Sequence, residues 1–173
     1  MTGFNSARVI RLLCVCGLGI AAIPLHAATN VYVNVQGLAC GGTSKQDPDA
    51  FDAISFSFGA TSPEAGESAG GAGGTAKLGD VVVLKNFDKC TPKLFDLMAK
   101  GQHVGTVTIK WWSTSSGFPF NFMTITLTEG AVAAVNYGSA QEGVSFAFGT
   151  ITITYSIMNA DGSSGGNVSA HWP

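Results

Sequence analysis

Alternation of apolar and polar residues runs through most of the chain. Val31, Val33 and Val35 alternate with Tyr32 and Asn34, and Ile54, Phe56 and Phe58 alternate with Ser55 and Ser57. The pattern returns at Val107, Ile109 and Trp111, and again at Met123, Ile125 and Leu127, where Thr124, Thr126 and Thr128 fill the opposite face. Successive side chains of a strand point to opposite faces, so each stretch predicts a strand with one buried face. Threonine suits such a surface because its branched β-carbon packs on the pleat while its hydroxyl tolerates water. Residues 81–85, 131–135 and 144–155 are further predicted strands.

The last of these contains a phase slip. Val144, Phe146 and Phe148 share one parity and Ile151, Ile153 and Tyr155 the other, with Gly149 between them. One extra residue at a glycine predicts a β-bulge in a bent strand, a device common in small barrels. One segment is helical instead. Thr91 reads as its N-cap, Pro92 as the first helical position, and Gly101 as the stop after Lys100. Leu94, Phe95, Leu97 and Met98 recur at helical spacing, and the helix is expected to pack through Phe95 and Met98. Residues 59–79, with 7 Gly, and the Gly/Ser-rich tail after Met158 are expected to lack regular structure. A short internal echo, ISFSFG from Ile54 and VSFAFG from Val144, is identical at four of six positions, which either duplication or shared strand patterning explains.

The first 27 residues follow a different pattern. Arg8 and Arg11 precede a 12-residue apolar run from Leu12 to Ile23, and Leu25, His26 and Ala27 follow before Ala28. A basic region, a short apolar stretch and a small residue at the cut describe a secretory signal peptide cleaved after Ala27. The run is too short to span a bilayer comfortably, and an uncleaved amphipathic anchor is the competing reading. The full chain of 173 residues carries 12% charged residues and a net charge of −2. Removing the leader takes both Arg residues with it and leaves 7 Lys against 11 Asp and Glu, a net charge of −4. Nucleic-acid binding needs a clustered basic face, and none is visible. The 46% apolar content points away from wholesale disorder and towards one folded domain.

The mature chain keeps two of its four cysteines, Cys40 and Cys90. In an oxidising compartment they either form a disulfide or stay as two separately buried thiols. Catalytic constellations are sparse. After the leader only His103 and His171 remain; no GxSxG elbow accompanies His103, which reads as a turn residue between helix and strand. The GGAGGTAK stretch at residues 70–77 lacks the Gly-Lys-Ser/Thr ending of a phosphate cradle. Asp47, Asp49 and Asp52 lack the glycine and closing glutamate of a calcium loop and read as a solvated acidic turn. No metal site and no cofactor is predicted. Asn167, Val168 and Ser169 form a glycosylation acceptor pattern, which matters only in a eukaryotic secretory pathway. Trp111 and Trp112 are adjacent, so on a strand one faces the core and the other presents a candidate protein contact.

The stretch DKCTPKLFDLMAKGQHVGTVTIKWW, residues 88–112, resembles the strand-helix-strand signature of the haemolysin-coregulated proteins (Hcp), the tube proteins of type VI secretion systems. Its distinctive parts are Lys89-Cys90-Thr91-Pro92-Lys93-Leu94-Phe95 and the Gly101-Gln102-His103 that follows the helix. Residues 144–155 are similar to the family's final strand and residues 52–60 to its second, so the likeness runs from Val31 to Tyr155.

The resemblance implies a mainly β protein: a small two-sheet β-barrel with one short α-helix, as in phage tail tubes. It implies a non-enzymatic subunit that joins itself in six-membered rings, which stack into a tube carrying small effectors, with the spike protein as a further partner. The extended loop at residues 59–79 would reach a neighbouring subunit, which makes Gly59, Thr61, Gly70 and Gly74, with Trp112, the candidate interface residues. The expected organisation is a signal peptide at 1–27, a barrel domain at 28–158 and a flexible tail at 159–173, exported to the periplasm or beyond, with no membrane attachment after cleavage. Two features depart from the family: tube proteins are assembled in the cytoplasm without a leader, and the loop here is unusually rich in glycine, which raises the entropic cost of ordering it. A stand-alone exported binding module that kept the barrel and forms no tube is the alternative.

Overall fold

The computed structural model describes residues 29–61, 76–114, 119–159 and 163–173. The leader and the candidate interface residues Gly70 and Gly74 lie outside them. Eleven strands and one helix follow in chain order: β1 (Thr29–Val35), β2 (Phe51–Ala53), β3 (Ser55–Ser57), β4 (Ala60–Thr61), β5 (Lys77–Leu78), β6 (Val81–Asn86), α1 (Thr91–Lys100), β7 (His103–Ser113), β8 (Phe120–Tyr137), β9 (Gln141–Ala147), β10 (Thr150–Met158) and β11 (Ser164–Trp172). None of the helices among the described residues is long and apolar enough to cross a membrane.

Hydrogen bonding runs in the order β2-β1-β7-β8-β9-β6-β3, with β10 on β8 and β11 beyond it. Every pairing is antiparallel. Alternation then buries one face: Val33, Val35, Val81, Val83, Val107, Ile109, Leu127, Val144 and Phe146 form the core, and Leu94 of the helix joins them. At about 25 cal/mol per Å² of apolar surface, burial of this set is the main source of stability.

The fold is mainly β with one helix, as the resemblance implies, but its sheet does not close into a barrel. β2 pairs with β1 and β3 with β6, so the two ends of the path are consecutive pieces of one chain segment that breaks at Ile54. There the Ile54 N–H donates to the Leu84 carbonyl at 2.7 Å and its side chain turns out to solvent, 48% exposed, instead of joining Phe56 and Phe58 on the inner face. The ends meet at this point without completing a ladder.

The predicted strands at 123–127 and 131–135 are halves of one 18-residue strand, β8. Its first part pairs with β7 and β10 and its last with β9. The phase slip at Gly149 is a strand break rather than the expected bulge: β9 ends at Ala147 and β10 starts at Thr150, each on a different stretch of β8. The two echoed hexapeptides flank β6 on either side, with Phe58 facing Phe148 at 6.2 Å between ring centroids.

Two segments read as irregular carry strands. Ala60 and Thr61 pair with Leu78 and Lys77, so the long loop stands on a two-stranded base. The tail read as flexible forms β11, which pairs with β10 from Ile151–Trp172 onward, because the outer edge of β10 otherwise leaves its peptide groups unpaired. Gly166, at φ 99°, supplies the left-handed residue where the register shifts near Ile157.

Candidate functional site

Cys90 occupies the N-cap of α1 and is disulfide-bonded to Cys40, with their Cα atoms 5.1 Å apart. Thr91 is therefore the first helical residue rather than the cap, and its hydroxyl is used elsewhere. It accepts from the Asp88 N–H at 3.0 Å and donates to Glu142 Oε1 at 2.6 Å. The helix closes at Gly101, whose φ of 61° lets its N–H return to the Met98 carbonyl. Leu94 is the buried contact, with Leu97 and Met98 packed beside it. Phe95, expected to pack inward, lies about a quarter-turn away and is 47% exposed.

Beneath the helix start sits a charged cluster that sequence reading missed. Lys85 and Glu142 are directly opposite in the β6–β9 ladder, and both side chains are fully buried. Lys85 Nζ lies 2.5 Å from Glu142 Oε1, 3.0 Å from Asp88 Oδ1 and 3.0 Å from the Asn86 carbonyl, with the Phe51 ring 5.2 Å away. Asp88 is held in turn by the Cys90 N–H at 2.7 Å. Glu142 Oε2 is buried with no hydrogen-bond partner. A signal existed: Lys85 continues the inward parity of Val81 and Val83, and Glu142 that of Val144 and Phe146.

The acidic turn is a latch rather than a solvated loop. Asp47 is buried; it accepts from Asn34 Nδ2 and Lys110 Nζ, each at 2.9 Å, and its N–H donates to Ser44 Oγ at 3.0 Å. Asp52 accepts from the Thr43 hydroxyl at 2.7 Å. Among the described residues no group of three His, Cys, Asp or Glu could hold a metal ion.

Of the candidate interface residues, Gly59, Thr61 and Trp112 fall among the described residues. Gly59 and Thr61 stand at the loop base, where the Gly59 carbonyl accepts from the Gly79 N–H at 2.9 Å. Trp112 is half-buried, its Nε1 enclosed without a partner, and is not the exposed tryptophan expected. The register of β7 on β8 shifts between Trp111 and Trp112, so simple parity fails there; Trp111 packs edge-on to Phe56 at 5.1 Å. His103 is the exposed first residue of β7.

Exposed apolar surface lies instead at the two ends of β8. At its C-terminal end Tyr137 packs on Phe87 and Phe95, with ring centroids 5.9 and 6.2 Å apart. The Tyr137 phenol is pushed above its ordinary 10.0, first by desolvation and then by the charge of Glu142. At the other end Phe122 packs on Tyr155, and the β10–β11 ribbon carries exposed Ile157 and Val168 there, with Trp172 further along, beside the middle of β8. The ribbon's other face is polar, with Thr152 bonded to His171 and Thr154 to Ser169.

A family model described as "Type VI secretion system effector, Hcp" matches residues 32–155. No curated protein sequence matches the chain. Among solved structures, that of a type six secretion system protein superposes with a TM-score of 0.74 at 23% identity, covering 84% of this chain and 95% of the other. Hcp1 from Salmonella typhimurium gives 0.66 at 18% identity, covering 84% and 94%. The secreted protein Hcp3 from Pseudomonas aeruginosa gives 0.62 at 21%, covering 84% and 99%. At these identities the structural likeness is one of fold. The family model, however, runs from β1 through β10, across most of the chain, and the chain belongs to the Hcp family of type VI secretion system proteins.

Proposed function

We propose that this chain is an exported, ring-forming member of its family, released from its leader after Ala27, whose rings of six stack into a tube that carries small effectors. The role is geometric: shape and surface do the work, with no reaction step. The observation that carries this reading is the placement of two separate exposed apolar patches at opposite ends of β8, Phe87–Phe95–Tyr137 at one and Phe122, Tyr155, Ile157 and Val168 at the other. Two different patches on one chain favour head-to-tail contacts, which close into rings when the rotation allows.

The edge of β11 supports the same reading. Among the described residues it pairs only with β10, and its nine residues contain no Lys, Arg, Asp, Glu or Pro, the usual devices that keep an edge strand from recruiting another chain. Gly59, Thr61, Gly70 and Gly74 remain the loop positions through which one subunit would reach the next, and the spike protein remains the further partner. Electron microscopy of the purified mature protein tests this. Ring-shaped particles with a central opening are expected; a field of single-subunit particles at the same concentration contradicts it.

A further inference from the structure

The Lys85 and Glu142 side chains are fully buried, and their arrangement exceeds what an ion pair requires. Burying both charges carries a desolvation penalty of several kcal/mol per ion, and the enclosed, unpartnered Oε2 adds to it. Joining the two groups as a neutral amide removes both charges and the orphaned oxygen together. We propose that Lys85 and Glu142 form an intramolecular isopeptide bond, made by the fold itself.

The parts are in place. The two residues face each other across adjacent strands, which brings Nζ against the Glu142 carboxyl. The lone pair of a deprotonated Nζ adds to Cδ, and the negative charge that develops falls on Oε1, where the Thr91 hydroxyl donates. Asp88, 3.0 Å from Nζ and the cluster's solvent-reached member at 30% side-chain exposure, accepts the two protons that the ammonium gives up. One of these protons is delivered to Oε2 before the addition, so that the lone pair meets a neutral acid; the second follows as the Cδ–Oε2 bond breaks, and one water leaves. Ammonium and carboxylate thus become a secondary amide and water, with no oxidant, reductant or other reactant. The Phe51 ring covers Nζ and keeps bulk water from reversing the step. The Cys90 N–H fixes Asp88, so the disulfide at Cys90 holds the proton acceptor in position.

Mass spectrometry of the folded full-length or mature protein, reduced and then denatured, tests this. The expected mass is that of the sequence less one water, and trypsin should leave Lys85 uncut and linked to the fragment that begins at Trp111. Asp88→Asn, which keeps an acceptor for the Cys90 N–H, should fold yet retain the full sequence mass. A wild-type protein at its full sequence mass, cleaved after Lys85, overturns the proposal, and an Asp88→Asn protein that loses water as completely as the wild type overturns the role given to Asp88.

Discussion

Glu129 turns β8 through a left-handed φ of 52° directly beside Gly149, the residue at which β9 gives way to β10. The two strand corners are one corner: the Gly149 N–H donates to the Thr128 carbonyl at 3.0 Å, and the Glu129 side chain occupies the space where a Cβ on residue 149 would lie. Gly149→Ala must displace that side chain: its carboxylate end can swing into solvent, but its Cβ and Cδ, each 3.1 Å from the added methyl, must give slightly, at a cost of about 0.5–1 kcal/mol. Urea denaturation should show the loss, and Glu129→Gly in the same chain should restore much of it. Additive effects of the two changes would separate the corners.

The Cys40–Cys90 bond spans 50 residues and ties the β1–β2 loop to the start of α1. A cross-link closing a loop of that length restricts the unfolded chain and is worth about 4 kcal/mol in the chain-entropy account. Reduction, or Cys40→Ala with Cys90→Ala, should lower the urea midpoint accordingly. An unchanged midpoint under reductant would mean that the bond contributes nothing to the fold.

Asp47 fastens the same loop to β1 and β7 through Asn34 and Lys110. Asp47→Ala strands a partly buried ammonium and an amide, and should cost about 2 kcal/mol, the range for hydrogen bonds to charged groups. Asp49→Ala, whose side chain is exposed, is the control. Equal small losses in both variants would remove the latch.

Strand alternation made most of the sheet legible, and Pro92 with Gly101 marked the helix, because these signals are local. What failed depended on partners. Val168, Ala170 and Trp172 form a strand only because β10 offers them an edge, a fact that no window of glycine and serine can convey. Ile54 breaks parity where one segment passes from β1 to β6. Phe95 reads as inward by spacing, yet the neighbouring Leu94 takes the buried position and leaves Phe95 to Tyr137. Lys85 and Glu142 sat in the inward parity of their strands, but alternation alone does not say that two such charges meet across a ladder 57 residues apart.

Assembly into rings of six underlies the proposed function. Light scattering of the mature protein after size-exclusion chromatography, at micromolar concentration, tests it most directly. A particle of six subunit masses is expected, reduced to smaller species by Val168→Glu on the exposed β11 surface. A monodisperse monomer would contradict it.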